Sequence, residues 1–198
     1  MGFGLILPGL LSLLMFRLVP VELFGFAAAY KGLDKLSVYG KDFVRAKYAS
    51  AAIVAFSAVD AVLWLCKVFS LADISDADVG DTVLSVLNVV HTALVTVFLV
   101  LLSLALCSIA KKCGYAKGEK RARFGIIFTA VYVVSLIIGA IVPSSAAVPM
   151  FFSILLYLYY PYTVYGFYMM IVTDDIIEKE RIALEVFDKR FGPGRKKK

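Results

Sequence analysis

The residues best able to do chemistry in this sequence are ionisable side chains embedded in long apolar stretches. Asp60 is the clearest case, because it lies at the middle of the apolar stretch 48–71. If that stretch is a helix, the rise per residue places Asp60 about 18 Å from one end, near the middle of a bilayer. A carboxylate facing lipid there is costly, so Asp60 should face the protein interior, be protonated or find a partner.

Several other polar residues are predicted at a similar depth in neighbouring apolar stretches. Arg17 is the base best placed to neutralise Asp60, and His91 lies about 13 Å from one end of its own stretch. We therefore expect a polar layer that contains Arg17, Glu22, Asp60, His91, Tyr132, Tyr157 and Tyr160. Such a layer could form an ion or proton site, because intramembrane ionisable residues commonly line transport pathways. It could also be structural, because buried polar pairs orient helices without any ligand.

The bulk composition indicates an integral membrane protein. The chain has 198 residues, is 61% hydrophobic and has a mean hydropathy of +0.86, whereas soluble domains are about 45–50% apolar. The length suits one domain with four or five spans. The net charge of +6 comes from bases in short segments beside apolar stretches, where they orient loops in a membrane. We therefore expect these basic residues to interact with the lipid bilayer and not with nucleic acid.

The apolar stretches predict an all-α, polytopic helical bundle. Four of them are long enough to cross a membrane: 48–71, 83–110, 124–142 and 150–172. The segment 111–123 carries six bases and one acid, so by the positive-inside rule it should be cytoplasmic. The same rule places the C-terminus in the cytoplasm and predicts a multi-pass protein of the cell membrane.

The N-terminal segment 3–36 is apolar but should be broken. Pro8, Arg17 and Pro20 interrupt it, and its first 14 apolar residues would span only about 21 Å as a helix. It could form one discontinuous crossing, which would bring the predicted spans to five, or a re-entrant hairpin. We do not expect a cleaved signal peptide, because no basic segment precedes the apolar run.

Two N-terminal motifs carry a resemblance to a known family. GFGLILPGLLSLLMF followed by ELFGFAAAYKGLDKLS resembles an uncharacterised family of small membrane proteins common in Gram-positive, anaerobic bacteria of the Bacillota. Phe26 stands where members of that family often have tyrosine. The resemblance covers the first quarter to third of the chain and implies a bacterial membrane protein, but no activity.

The C-terminal segment predicts a helix outside the membrane. Residues 174–191 begin with acids and end with Lys189 and Arg190, as a helix dipole favours. One apolar stripe runs along this helix: Ile177, Leu184, Phe187 and Phe191. The stripe is suited to lie on a membrane surface or to dock against a partner. Residues 192–198 form a basic tail.

Known catalytic motifs are absent from the sequence, so we expect no enzyme. No nucleophile elbow, metalloprotease motif or phosphate-binding loop occurs, and the three cysteines form no metal-binding spacing. We expect no cofactor and no metal. The pattern favours a structural or accessory membrane protein whose C-terminal helix docks a membrane-protein partner or a second copy. The alternative is a small transporter or channel with an ion or proton site around Asp60, and a weaker third is a lipid-modifying enzyme using Asp60 and His91.

Overall fold

The fold is a helical bundle, as seen in a computed structural model that describes residues 2–15, 19–68, 77–145 and 147–191. Within these ranges, side chains are described for residues 2–14, 21–63, 65, 85–142, 144–145 and 147–170. Every regular element of the described residues is a helix, which confirms the all-α prediction. Arg17, the side chains of the stripe at 177–191 and the basic tail lie outside the described part.

The described residues form six α-helices. They are α1 Phe3–Ser12, α2 Val19–Leu36, α3 Lys41–Val68, α4 Ala77–Lys112, α5 Ala116–Ile141 and α6 Ala147–Phe191. Four contain stretches long and apolar enough to cross a membrane: Lys41–Leu63, Ser85–Lys112, Ala116–Ile141 and Ala147–Met170. Their number agrees with the four spans that the sequence predicts.

The helices contact one another in chain order, and α1 closes the arrangement by packing against α6. Helix α4 is the most enclosed of the four, because 56% of an 18-residue apolar window within it is buried, against 22% in each of the other three. Its polar side chains are therefore more readily placed against protein than those of α3, α5 or α6. We call the end of the bundle where α4 ends and α5 begins the basic end.

The two N-terminal helices form an antiparallel hairpin, which rules out one discontinuous crossing. A Cβ on Gly32 would lie 2.5 Å from the carbonyl oxygen of Gly2, so the start of α1 lies beside the end of α2. A Cβ on Gly25 would lie 2.7 Å from Ser12 Oγ, so the end of α1 lies beside the first half of α2. Glycine is needed where these helices approach so closely.

Helix α6 is longer than predicted, because it joins two elements that the sequence analysis separated. We expected a span at 150–172 and a second helix at 174–191, with Thr173 as the cap between them. The structure has one helix of 45 residues. The residues around Thr173 include neither glycine nor proline, so nothing in the local sequence stops the helix. Helix α5 similarly begins at Ala116 rather than at 124, since long basic side chains are compatible with the helix and can reach water from it.

Candidate functional site

A pocket of about 320 Å³ lies between the N-terminal hairpin and helices α4, α5 and α6. It is partly open and is lined by Leu13, Glu22, Asn88, His91, Thr92, Tyr132, Ser153 and Tyr157. Seven of these eight side chains carry a polar group. Such a lining is unusual in the apolar part of a membrane bundle, where polar groups must be satisfied by the protein or by a ligand.

Glu22 and His91 form an acid–base pair in the wall of this pocket. Glu22 Oε1 and His91 Nε2 are in direct hydrogen-bond contact, and the two residues are only 5% and 8% exposed. The N-terminal hairpin positions Glu22, because α2 begins at Val19 and brings its first turn against α4. His91 lies on the enclosed helix α4, on the same face as the buried Val95. The contact joins an acidic and a basic side chain across two helices, α2 and α4.

Aromatic side chains enclose the pair on two sides. The Phe56 ring of α3 lies 5.8 Å from the His91 ring, centroid to centroid. Tyr132 of α5 is buried, and its side chain is hydrogen-bonded to that of Tyr157 of α6. These two tyrosines bridge α5 and α6 and bring two hydroxyl groups to the pocket wall.

The side of the pocket away from the basic end is more open and carries small polar groups. Asn88 is exposed and Ser153 is half-buried. The Thr92 hydroxyl donates to the Asn88 carbonyl oxygen at 2.8 Å, so its oxygen remains available as an acceptor. A solute that entered here would meet an amide and hydroxyl groups before it reached the Glu22–His91 pair.

The structure brings together four of the seven residues of the predicted polar layer. Glu22, His91, Tyr132 and Tyr157 all line the pocket. Asp60 does not line it: this residue is half-buried on α3, one helical turn beyond Phe56, and has no hydrogen-bond or ion-pair partner among the described residues. The carboxylate that contacts His91 is therefore Glu22.

Tyr160, the seventh residue, belongs to a different buried network. Its hydroxyl lies 2.8 Å from Ser103 Oγ, 2.9 Å from Thr129 Oγ1 and 3.3 Å from the Gly125 carbonyl oxygen. Ser103 is 12 residues beyond His91 on α4, about 18 Å closer to the basic end. Tyr160 thus ties α4, α5 and α6 together away from the pocket.

Replacing Tyr160 with phenylalanine is expected to lower the free energy of unfolding by about 1 kcal/mol, because it leaves Ser103 and Thr129 without their shared partner. Unfolding in mixed micelles measures this effect. Tyr162→Phe is the matched control, because the Tyr162 side chain is 57% exposed and its change should be near zero. An equal loss of unfolding free energy in both variants would contradict a structural role for the Tyr160 hydroxyl.

Four pocket residues lie outside the predicted polar layer: Thr92, Ser153, Asn88 and Leu13. For Thr92 and Ser153, the helical spacing in the sequence could have predicted their place in the pocket. Thr92 follows Asn88 by four residues, and Ser153 precedes Tyr157 by four, so each pair shares a helix face. Nothing in the sequence pattern indicates Leu13, which reaches the pocket because the hairpin turns there.

Neither metal-binding clusters nor known relatives add to this description. Among the described residues, no group of three or more histidine, cysteine, aspartate or glutamate side chains is arranged to hold a metal ion. No family model, no curated protein and no solved structure matches the chain. The chemistry of the site is therefore inferred from its own side chains.

Proposed function

We propose that this protein is a small membrane transporter that binds a polar solute or ion in the pocket beside Glu22 and His91. The observation that carries the proposal is a buried, hydrogen-bonded acid–base pair that faces a cavity on one side. This keeps the transport alternative of the sequence analysis and moves its site from Asp60 to Glu22.

The size of the cavity favours ligand binding over a purely structural role for the pair. The pocket, at about 320 Å³, has room for several waters or one small organic solute. A pair that only orients helices is best served by dry packing on all sides, which strengthens its hydrogen bond. The open space beside Glu22 has no use in that role.

The position of Glu22 near the turn of the hairpin suggests how the site could be exposed to both sides. Re-entrant segments occur inside membranes where protein buries them or where they line a water-filled cavity. Movement of α1 and α2 against α4 and α6 would open the pocket while the four long helices stay in place.

The test is flux into liposomes that contain the purified protein. Protons are followed with a trapped pH dye, and small amines, amino acids and polyols are followed by uptake of labelled solute. We expect at least one probe to cross with wild-type protein, and Glu22→Gln to reduce that flux at least tenfold. Glu119→Gln is the matched control, because Glu119 lies at the basic end and pairs with Arg123. Absence of flux for every probe, or equal flux in Glu22→Gln, would overturn the proposal.

The length of α6 favours a second candidate function, an accessory role in which this helix docks a membrane protein or another copy. Helix α6 continues past residue 172, where the predicted span ends, for 19 residues to Phe191, about 29 Å at the usual rise. A photo-reactive residue in place of Leu184, on the apolar stripe, should cross-link one protein in native membranes. The same residue at position 179, on the opposite face, should not; equal cross-linking from both positions would contradict docking through the stripe.

A further inference from the structure

Arg121 occupies an unusual position near the basic end of the bundle. It is a half-buried residue in the second turn of α5, and its side chain lies against α6. The guanidinium carbon is 5.1 Å from the centroid of the Tyr162 ring. A Cβ on Gly166 would lie 3.1 Å from one guanidinium nitrogen, so the absence of a side chain at Gly166 makes room for the group. The guanidinium is thus held in a defined place.

No carboxylate neutralises this guanidinium among the described residues. Glu119, the acid closest to it along α5, contacts Arg123 at 2.5 Å and Lys111 at 4.0 Å instead. Along α6, the first acid beyond Gly166 is Asp174, eight residues and about 12 Å further on. A guanidinium has five N–H donors, and none of those of Arg121 is bonded to a carboxylate in the part of the chain whose side chains are described.

The surroundings of Arg121 are basic on one side and apolar on the other. Lys117 precedes it by four residues, on the same face of α5, and is exposed. Phe124 and Tyr162 are 54% and 57% exposed, and they begin the outward-facing apolar surface of α5 and α6. This change from bases to exposed aromatic rings is typical of the level of lipid headgroups.

We propose that Arg121, assisted by Lys117 and the Tyr162 ring, binds the phosphate of an anionic phospholipid in the leaflet at the basic end of the bundle. A guanidinium donates two parallel hydrogen bonds to phosphate oxygens, which a lysine cannot do. The acyl chains then continue along the apolar surface that begins at Phe124 and Tyr162. This site is separate from the Glu22–His91 pocket and does not depend on the transport proposal.

The structure offers a matched control for this site. Arg123 is two residues away on the same helix, but its side chain is 61% exposed and it is already paired with Glu119. Arg121→Gln and Arg123→Gln remove the same charge from the same end of the protein. A difference in lipid affinity between the two variants therefore indicates a specific site and not general attraction to negatively charged lipid.

The experiment is a native mass spectrometry titration of the purified full-length protein with phosphatidylglycerol, phosphatidylcholine and glycerol phosphate. We expect phosphatidylglycerol to bind most tightly, Arg121→Gln to raise its apparent Kd about tenfold, and Arg123→Gln to change it less than twofold. Gly166→Ala should weaken binding as well, because its methyl group displaces the guanidinium without removing a charge.

Three results would overturn the proposal. Equal weakening by Arg121→Gln and Arg123→Gln would indicate diffuse electrostatic attraction. Binding of glycerol phosphate as tight as that of phosphatidylglycerol would indicate a soluble phosphate ligand. If Arg121→Gln fails to fold, unchanged affinity in Gly166→Ala would exclude the guanidinium as the binding group.

Discussion

Replacing either Glu22 or His91 with leucine is expected to lower the free energy of unfolding by about 3 kcal/mol, whereas the double replacement should cost little more than either single one. Removing one partner leaves the other polar group buried and unpaired, and removing both leaves an apolar contact. All three variants should lose solute binding. Reversible unfolding in mixed micelles measures the four stabilities.

The Glu119–Arg123 pair provides the control for this double-mutant cycle. It is also an acid–base contact, but the Arg123 side chain is 61% exposed. Exposed pairs of this kind are coupled by about 0.5 kcal/mol. Additive losses for Glu22 and His91, with a coupling no larger than in the control, would show that the two side chains do not form a buried pair.

A methyl group at Gly25 is expected to destabilise the N-terminal hairpin and the pocket together. In Gly25→Ala the new Cβ would lie 2.7 Å from Ser12 Oγ and 2.8 Å from the carbonyl oxygen of Pro8. The backbone of α1 must then move, at an expected cost of about 2 kcal/mol. Because Glu22 lies one helical turn before Gly25, solute binding should weaken too. Thermal unfolding and binding of the transported probe measure the two effects.

Gly4→Ala is the matched control on the same hairpin. A Cβ at Gly4 would meet only the Tyr168 ring, at an ordinary contact distance of 3.5 Å. The alanine should stabilise α1 by about 0.5 kcal/mol, because alanine is the better helix former. If both variants have the same stability, the close approach of α1 and α2 does not hold the hairpin together.

The four long helices could be predicted from the sequence because span formation depends on local properties. A run of apolar residues long enough to cross a bilayer satisfies its own backbone hydrogen bonds as a helix, whatever it packs against. The end of α6 was less predictable. A helix ends where the local sequence breaks it, and Thr173 with the acids that follow is compatible both with a new start and with continuation.

The residues that form the site were harder to predict from the sequence, because depth along a helix does not define which way a side chain faces. Asp60 and Glu22 are both acids at intramembrane depth, yet Asp60 is half-buried on α3 whereas Glu22 is enclosed beside His91. The difference comes from the hairpin, which brings α2 against the most enclosed helix. Antiparallel packing of α1 and α2 depends on glycines that are far apart in the sequence, such as Gly2 and Gly32 or Gly9 and Gly25, and a single sequence does not reveal such pairs.

The most direct test of the central claim asks whether a solute can reach the pocket. Ser153 is changed to cysteine in a protein whose three native cysteines are replaced by serine, and liposomes are treated on both sides with a charged, membrane-impermeant thiol reagent. The account predicts labelling at position 153 and its slowing by the transported probe. Val134→Cys, on the outward face of α5 and 54% exposed, should remain unlabelled because it faces lipid. A cysteine at position 153 as unreactive as the one at 134 would contradict the account, because the pocket would then be closed to water and solute.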